Sequence, residues 1–130
     1  MATEFKRRFY ANIQDDAIGH ANSKMYQAPA NCDTVIIGLL LTNTSGSSVT
    51  ADVAVIPETD TEGKLGEDGE DTTYIIKGAQ IPVGSALEII SGKVVIANTT
   101  GTGSSGDILC VRASADDVMD ATLSILENTS

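Results

Sequence analysis

Tryptophan is absent from this 130-residue chain, aromatic residues make up only 4% of it, and there is a single histidine. A core drawn from its 42% hydrophobic residues must therefore consist mainly of Val, Ile, Leu and Ala. Such side chains suit a pleated, half-buried sheet surface. A Ser-His-Asp arrangement would rest entirely on His20, which lies in loop-like sequence, and no serine occupies a G-x-S-x-G elbow. Cysteine and histidine are too few for a zinc site. No apolar run approaches the ~20 residues of a membrane-spanning helix. The basic N-terminus, MATEFKRRFY, leads into no apolar stretch or small-residue cleavage site, so no secretory leader is expected.

Basic residues are also scarce, with eight Lys and Arg against eighteen Asp and Glu, a net charge of −10 and a pI near 4.2. Phosphate-rich partners need a basic surface, so neither nucleic acid nor an anionic membrane is an expected partner. The acidity supports solubility instead. Cys110 lies in an apolar ILCV segment, where a thiol behaves as a small hydrophobe. With no Trp for an immunoglobulin-type bridge to pack on, Cys32 and Cys110 are both expected to be free thiols of a protein folded in a reducing compartment.

What the chain has is alternation. Asp33 to Pro57 (DTVIIGLLLTNTSGSSVTADVAVIP) reads as two strands joined by the polar turn Asn43–Ser48, a hairpin at the centre of the fold. In its first strand Val35, Ile37, Leu39 and Leu41 share one face and Ile36 and Leu40 the other, the pattern of a central strand covered on both sides. In its second strand Val49, Ala51, Val53 and Val55 oppose Thr50 and Asp52. Before this hairpin, residues 1–13 read as an edge strand or an arm, with Phe5 and Phe9 on one face, interrupted by Arg7, and Lys6, Arg8 and Tyr10 on the other. Residues 14–23 read as a loop and Lys24–Ala28 as a short extended piece.

Beyond the hairpin, strands are expected at Thr73–Lys77 and Ser85–Ile90, and at Lys93–Ala97 across a two-residue Ser91-Gly92 turn. Two more follow at Asp107–Ala113 and Val118–Glu127. In the last, Met119, Ala121, Leu123 and Ile125 share a face, a period of two that marks a strand rather than a helix. The expected fold is a single all-β domain over residues 1–130, an antiparallel β-sandwich or jelly-roll-like barrel of about eight or nine short strands.

Between the strands lies an acidic insertion, residues 58–71 (ETDTEGKLGEDGED), with seven acids, three glycines and one lysine. Its composition is that of a solvated loop. Clustered acids with glycine raise the possibility of calcium, but the spacing does not match the twelve-residue calcium loop. The glycines of Asn98–Gly106 form no phosphate cradle, since no Gly-Lys-Ser/Thr ending or helix follows. Neither a cofactor nor a metal site is expected, and nothing supplies the shielded acid-base pair an enzyme requires. The N-x-S/T triplets at Asn43, Asn98 and Asn128 are of the kind that chance supplies in Asn- and Thr-rich sequence.

Several segments taken together resemble small β-sandwich virion structural proteins of tailed bacteriophages, of the capsid-decoration, neck or tail-accessory type. They are RRFY (Arg7–Tyr10), Tyr26-x-x-Pro29-Ala30, the LLLTNTS strand end, Ile81-Pro82-x-Gly84-Ser85, and GDILCVRAS through DATLSILE at the close. The order matches along nearly the whole chain, and residues 58–71 are an insertion relative to it. The resemblance implies a non-enzymatic virion subunit, folded in the host cytoplasm, that repeats as a symmetric homo-oligomer. It would decorate or stabilise the capsid, or join head, neck and tail parts, against itself and neighbours such as the major capsid or neck and tail proteins. Charge layout points to the interface: Phe5, Lys6, Arg7, Arg8 and Phe9 on the N-terminal segment, with Glu67, Asp68, Glu70 and Asp71 as an acidic counterpart. The alternative is a host-surface module that binds a glycan or receptor through its loops.

Overall fold

In the computed structural model the described residues are 2–57, 72–90, 94–99 and 106–129. Among them are nine strands: β1 (Ala2–Tyr10), β2 (Lys24–Gln27), β3 (Cys32–Asn43), β4 (Val49–Ile56), β5 (Thr73–Ile81), β6 (Ala86–Ile90), β7 (Val94–Asn98), β8 (Ile108–Ala113) and β9 (Met119–Thr129). A single 3-10 turn, Ala21–Ser23, precedes β2. The first sheet has the order β1-β9-β3-β6 with β7 also on β3, and the second has the order β2-β8-β4-β5.

The pairings are nested and antiparallel: β1 with β9, β2 with β8, β3 with β6 and β7, and β4 with β5. The chain is thus one long two-stranded ribbon. It is rolled up so that β9 also lies against β3 and β8 against β4. β6 pairs with Leu39–Thr42 and β7 with Cys32–Ile36, so the two follow one another along a single edge of β3 as one interrupted strand. Counted that way, the described strands form two four-stranded layers, the eight-stranded jelly-roll arrangement, and the expected all-β sandwich is what the chain adopts. Inward side chains of both layers, among them Leu39, Leu41, Leu123 and Ile125 from the first and Val53, Leu109 and Val111 from the second, make the core.

Three local expectations are overturned. Asp33–Pro57 is not a hairpin, because β3 and β4 belong to different sheets and each pairs elsewhere. The polar segment between them is an arch from one layer to the other. Asn43 organises it: its amide donates to the Ser47 and Ile81 carbonyls at 2.8 and 3.0 Å, and its Oδ1 accepts the Ser45 N–H at 2.8 Å. Turn-rich sequence between two strands signals a reversal of direction, but not whether the reversal stays within a sheet. Second, β6 and β7 do not pair with each other, so they are not the two arms of a hairpin. The Ser91-Gly92 turn expected between them lies outside the described residues.

Third, the alternation along β3 changes phase. Against β9, Ile36 faces Ile125 and Gly38 faces Ser124, leaving Ile37 as the extra residue of a β-bulge. Ile36, Leu39 and Leu41 therefore point inward, while Ile37 and Leu40 are exposed and Val35 is half-buried. A strand apolar on both faces is here central within its sheet yet, among the described residues, covered on one side only. The 14–23 loop does the opposite for the second sheet. Ile18 plugs its outer face, packing with Ala54, Ile56, Ile108 and Cys110. Cys32 and Cys110 are both buried and unbridged.

The bulge yields a pair of opposed outcomes. Ile36→Ala should lower the free energy of unfolding by about 2–4 kcal/mol, and Ile37→Ala, one residue on, by less than about 1 kcal/mol. Urea denaturation of both variants checks this, and equal costs would contradict the phase change.

Candidate interaction face

β1 runs the length of β9 in unbroken register, from Ala2 opposite Thr129 to Tyr10 opposite Ala121. Residues 2–10 are therefore a strand at the margin of the first sheet. Which way they face is decided by a buried carboxylate. Glu127 continues the inward series of Met119, Ala121, Leu123 and Ile125 and is only 5% exposed. A charge in that position must be paired and hydrogen-bonded. Lys6 Nζ lies 2.7 Å from its Oε1, and the Tyr26 hydroxyl of β2 donates to its Oε2. Thr34 Oγ1 in turn is 2.9 Å from the Tyr26 hydroxyl. Two repeats of the alternation along from Lys6, the Tyr10 hydroxyl donates to the Met25 carbonyl.

With Lys6 and Tyr10 turned inward, the odd-numbered side chains of β1 turn out. Phe5 is 76% exposed and Phe9 68%. The register places Phe5 beside Leu126, Leu126 beside Val35, and Val35 beside Val95, one apolar row across four strands on the outer face. Ile37 and Leu40 extend it along β3, and a shallow cleft of about 240 Å³ opens between Phe5 and Ile37, bordered by Arg7 and Ser124. The Arg7 guanidinium lies over the Phe9 ring at 5.7 Å. Ile13, which simple alternation would set on the side of Phe5 and Phe9, is buried instead, because Asn12 at φ 59° breaks the strand's phase.

Burial by itself would raise the Glu127 carboxyl, but the hydrogen bonds from Lys6 and Tyr26 outweigh it and leave it below its ordinary value. Lys6 is raised, chiefly by its bond to Glu127. Burial, followed by the hydrogen bond to Glu127, pushes the Tyr26 hydroxyl up. The set holds charge in place and offers no group poised near neutrality for proton transfer.

Of the residues expected at an interface, Phe5, Lys6, Arg7, Arg8 and Phe9 are brought together on β1. Lys6 serves the fold as well as the surface. Glu67, Asp68, Glu70 and Asp71 lie outside the described residues, as does the segment considered for calcium. Among the described residues no group of three or more His, Cys, Asp or Glu side chains is placed to hold a metal. A second cleft, about 200 Å³, is lined by Asp15, Thr50, Asp52 and Arg112. Its charges are engaged within the fold: Arg112 Nε donates to Asp15 at 2.8 Å, and Asp52 accepts the Gly78 N–H at 2.7 Å. His20 is exposed and hydrogen-bonded to Asp16 at 2.9 Å. Asn43 and Asn98, at two of the N-x-S/T triplets, are buried.

No family model and no curated protein matches the sequence. Among solved structures, a chain of infectious bursal disease virus, Gx strain, is similar over 98% of this chain and 33% of its own, with a TM-score of 0.46 and 13% identity. A chain from the crystal structure of the T13 particle of the same virus is similar over 95% and 30%, with a TM-score of 0.42 and 14% identity. This chain thus spans about a third of the length of the chains it matches. Both come from virus structures, and likeness this loose decides nothing about function. Neither is a tailed-phage protein, so the phage resemblance of the sequence gains no support from them.

The Glu127 cluster sets a pH dependence. A carboxylate whose folded pKa is depressed stabilises the fold above its unfolded pKa, and that contribution is lost as pH falls through the folded value. Melting temperature should therefore drop below about pH 4 more steeply in the wild type than in Glu127→Gln. At pH 7 that variant should be less stable by about 1–3 kcal/mol. Parallel acid titrations of the two melting curves would contradict the assignment.

Proposed function

We propose that this chain is a non-enzymatic structural subunit of a virus particle and that it works by contact through the outer face of the first sheet, with β1 at its margin. The observation that carries this is the row Phe5–Leu126–Val35–Val95 with Phe9, Ile37 and Leu40 around it. Scattered exposed apolar residues are ordinary, but a contiguous row reaching across a sheet marks a surface that is covered in use. The jelly-roll arrangement is one that viral capsid domains share with lectins and cupins, so it favours the virion by analogy alone. The resemblance of the sequence segments to small virion proteins of tailed phages narrows the reading further. On that reading the chain repeats as a homo-oligomer that decorates or stabilises a capsid, or joins head, neck and tail components, beside the major capsid or neck and tail proteins. Two buried, unbridged thiols suit folding in the host cytoplasm.

A glycan-binding module would want exposed tyrosine platforms, and none of the three is free for that. Tyr10 and Tyr26 direct their hydroxyls to Met25 and Glu127, and the Tyr74 ring is covered by Lys77 Nζ at 4.7 Å.

The test is the double variant Phe5→Ser/Phe9→Ser. Burial of each ring on docking is worth about 1.5–3 kcal/mol, so affinity for the particle should fall at least about tenfold. Stability should stay within about 0.5 kcal/mol, because both rings are exposed in the free chain. Quantitative mass spectrometry of purified particles reads the occupancy, and undiminished occupancy would overturn the proposal.

A further inference from the structure

Among the described strands, three of the four edges that bound the two sheets are blunted. β2 is four residues long, with its register against β8 interrupted between Lys24 and Tyr26. β5 loses register with β4 at two places and carries Gly78 at φ 68°. The edge of the first sheet opposite β1 is divided between β6 and β7, five residues each. Shortness, bulging and interruption are the usual protections against pairing with another chain. β1 has none of them: nine residues, no Pro, no Gly, and unbroken register from end to end. Among the described residues its outer edge meets no strand.

We propose that two copies of this chain pair β1 to β1, antiparallel, about a two-fold axis, joining their first sheets into one continuous sheet. The inference rests on the reading that the chain works by assembling. The charge order of β1 selects a second copy as the occupant. Glu4 stands before Lys6, Arg7 and Arg8, so a parallel partner would set like charges side by side. The antiparallel register with full overlap is centred on Lys6. It brings Glu4 of each copy opposite Arg8 of the other, and Phe5 opposite Arg7, pairs of the kind that stabilise neighbouring strands. Arg7 already makes such a contact with a ring, over its own Phe9. The two Lys6 residues meet at the axis, but each ammonium is held by its own Glu127 at 2.7 Å and Glu4 at 3.3 Å. Lysine and arginine on an edge ordinarily repel a second strand; here Glu4 turns the same residues into a means of selecting one. A two-fold axis normal to the sheet keeps both outer faces on one side, so the apolar rows of the two copies join.

Sedimentation velocity and light scattering of the purified full chain over a concentration series test this. The wild type should dimerise, Arg8→Glu should weaken the dimer at least tenfold, and Glu4→Arg/Arg8→Glu should restore it. Wild-type circular dichroism spectra and a cooperative melt would show that each variant is folded, since loss of the dimer itself lowers the melting temperature. A wild type that stays monomeric, a dimer indifferent to Arg8→Glu, or a double variant that fails to recover would each overturn the pairing. If the wild type is monomeric while particle occupancy still depends on Phe5 and Phe9, the pairing fails and the assembly reading stands.

Discussion

Strict alternation along β9 is the constraint to which the rest of the first sheet answers. The strand lies between β1 and β3 and pairs with both, so its phase dictates which side chains of each neighbour enter the core. Four apolar residues fill its inward positions, and the fifth is Glu127. An ionised carboxylate between two sheets is tolerated only with partners, and Lys6 and Tyr26 supply them. That requirement draws one face of β1 inward, ties β2 of the opposite layer to β9, and leaves Phe5 and Phe9 on the outside. The apolar row is in this sense a consequence of one buried charge.

The same phase explains why β3 needs its bulge. A run as apolar as VIIGLLL cannot alternate cleanly, since residues of both parities are hydrophobic. Ile37 is set aside as the extra residue, and the remaining side chains divide into an inward set matched to β9 and an outward set that enlarges the exposed row. On the second sheet the corresponding surplus of apolar residues, Ala54, Ile56 and Ile108, is covered from within the chain by Ile18. Among the described residues one sheet thus has a cover of its own and the other does not.

Two segments that carry the resemblance to virion proteins meet inside the fold. Tyr26 of the Tyr-x-x-Pro-Ala segment reaches Glu127 at the end of the closing strand. Asp107 of the Gly-Asp pair accepts the Ala97 N–H at 2.9 Å and secures the return from β7 into β8. These residues hold the roll together, while Arg7 and Phe9 of the RRFY segment lie on the exposed side of β1. A pattern shared through scaffold residues speaks to architecture, and for function the surface has to be read separately.

The sequence by itself determined what is local. Period-two alternation located the strands, the dearth of aromatics and the abundance of β-branched residues pointed to sheets, and β9 could be read face by face. The candidate face was partly visible too, in the cluster Phe5 to Phe9. Tertiary structure alone decided the rest, because it depends on pairings between residues distant along the chain. Only the register against β9 shows that Ile37 is a bulge. Only the division into two sheets turns an apparent hairpin into an arch and two apparent hairpin arms into one interrupted strand. The direction in which the phenylalanines point was set by Glu127, more than a hundred residues away, through a lysine that reads from the sequence as one more exposed charge.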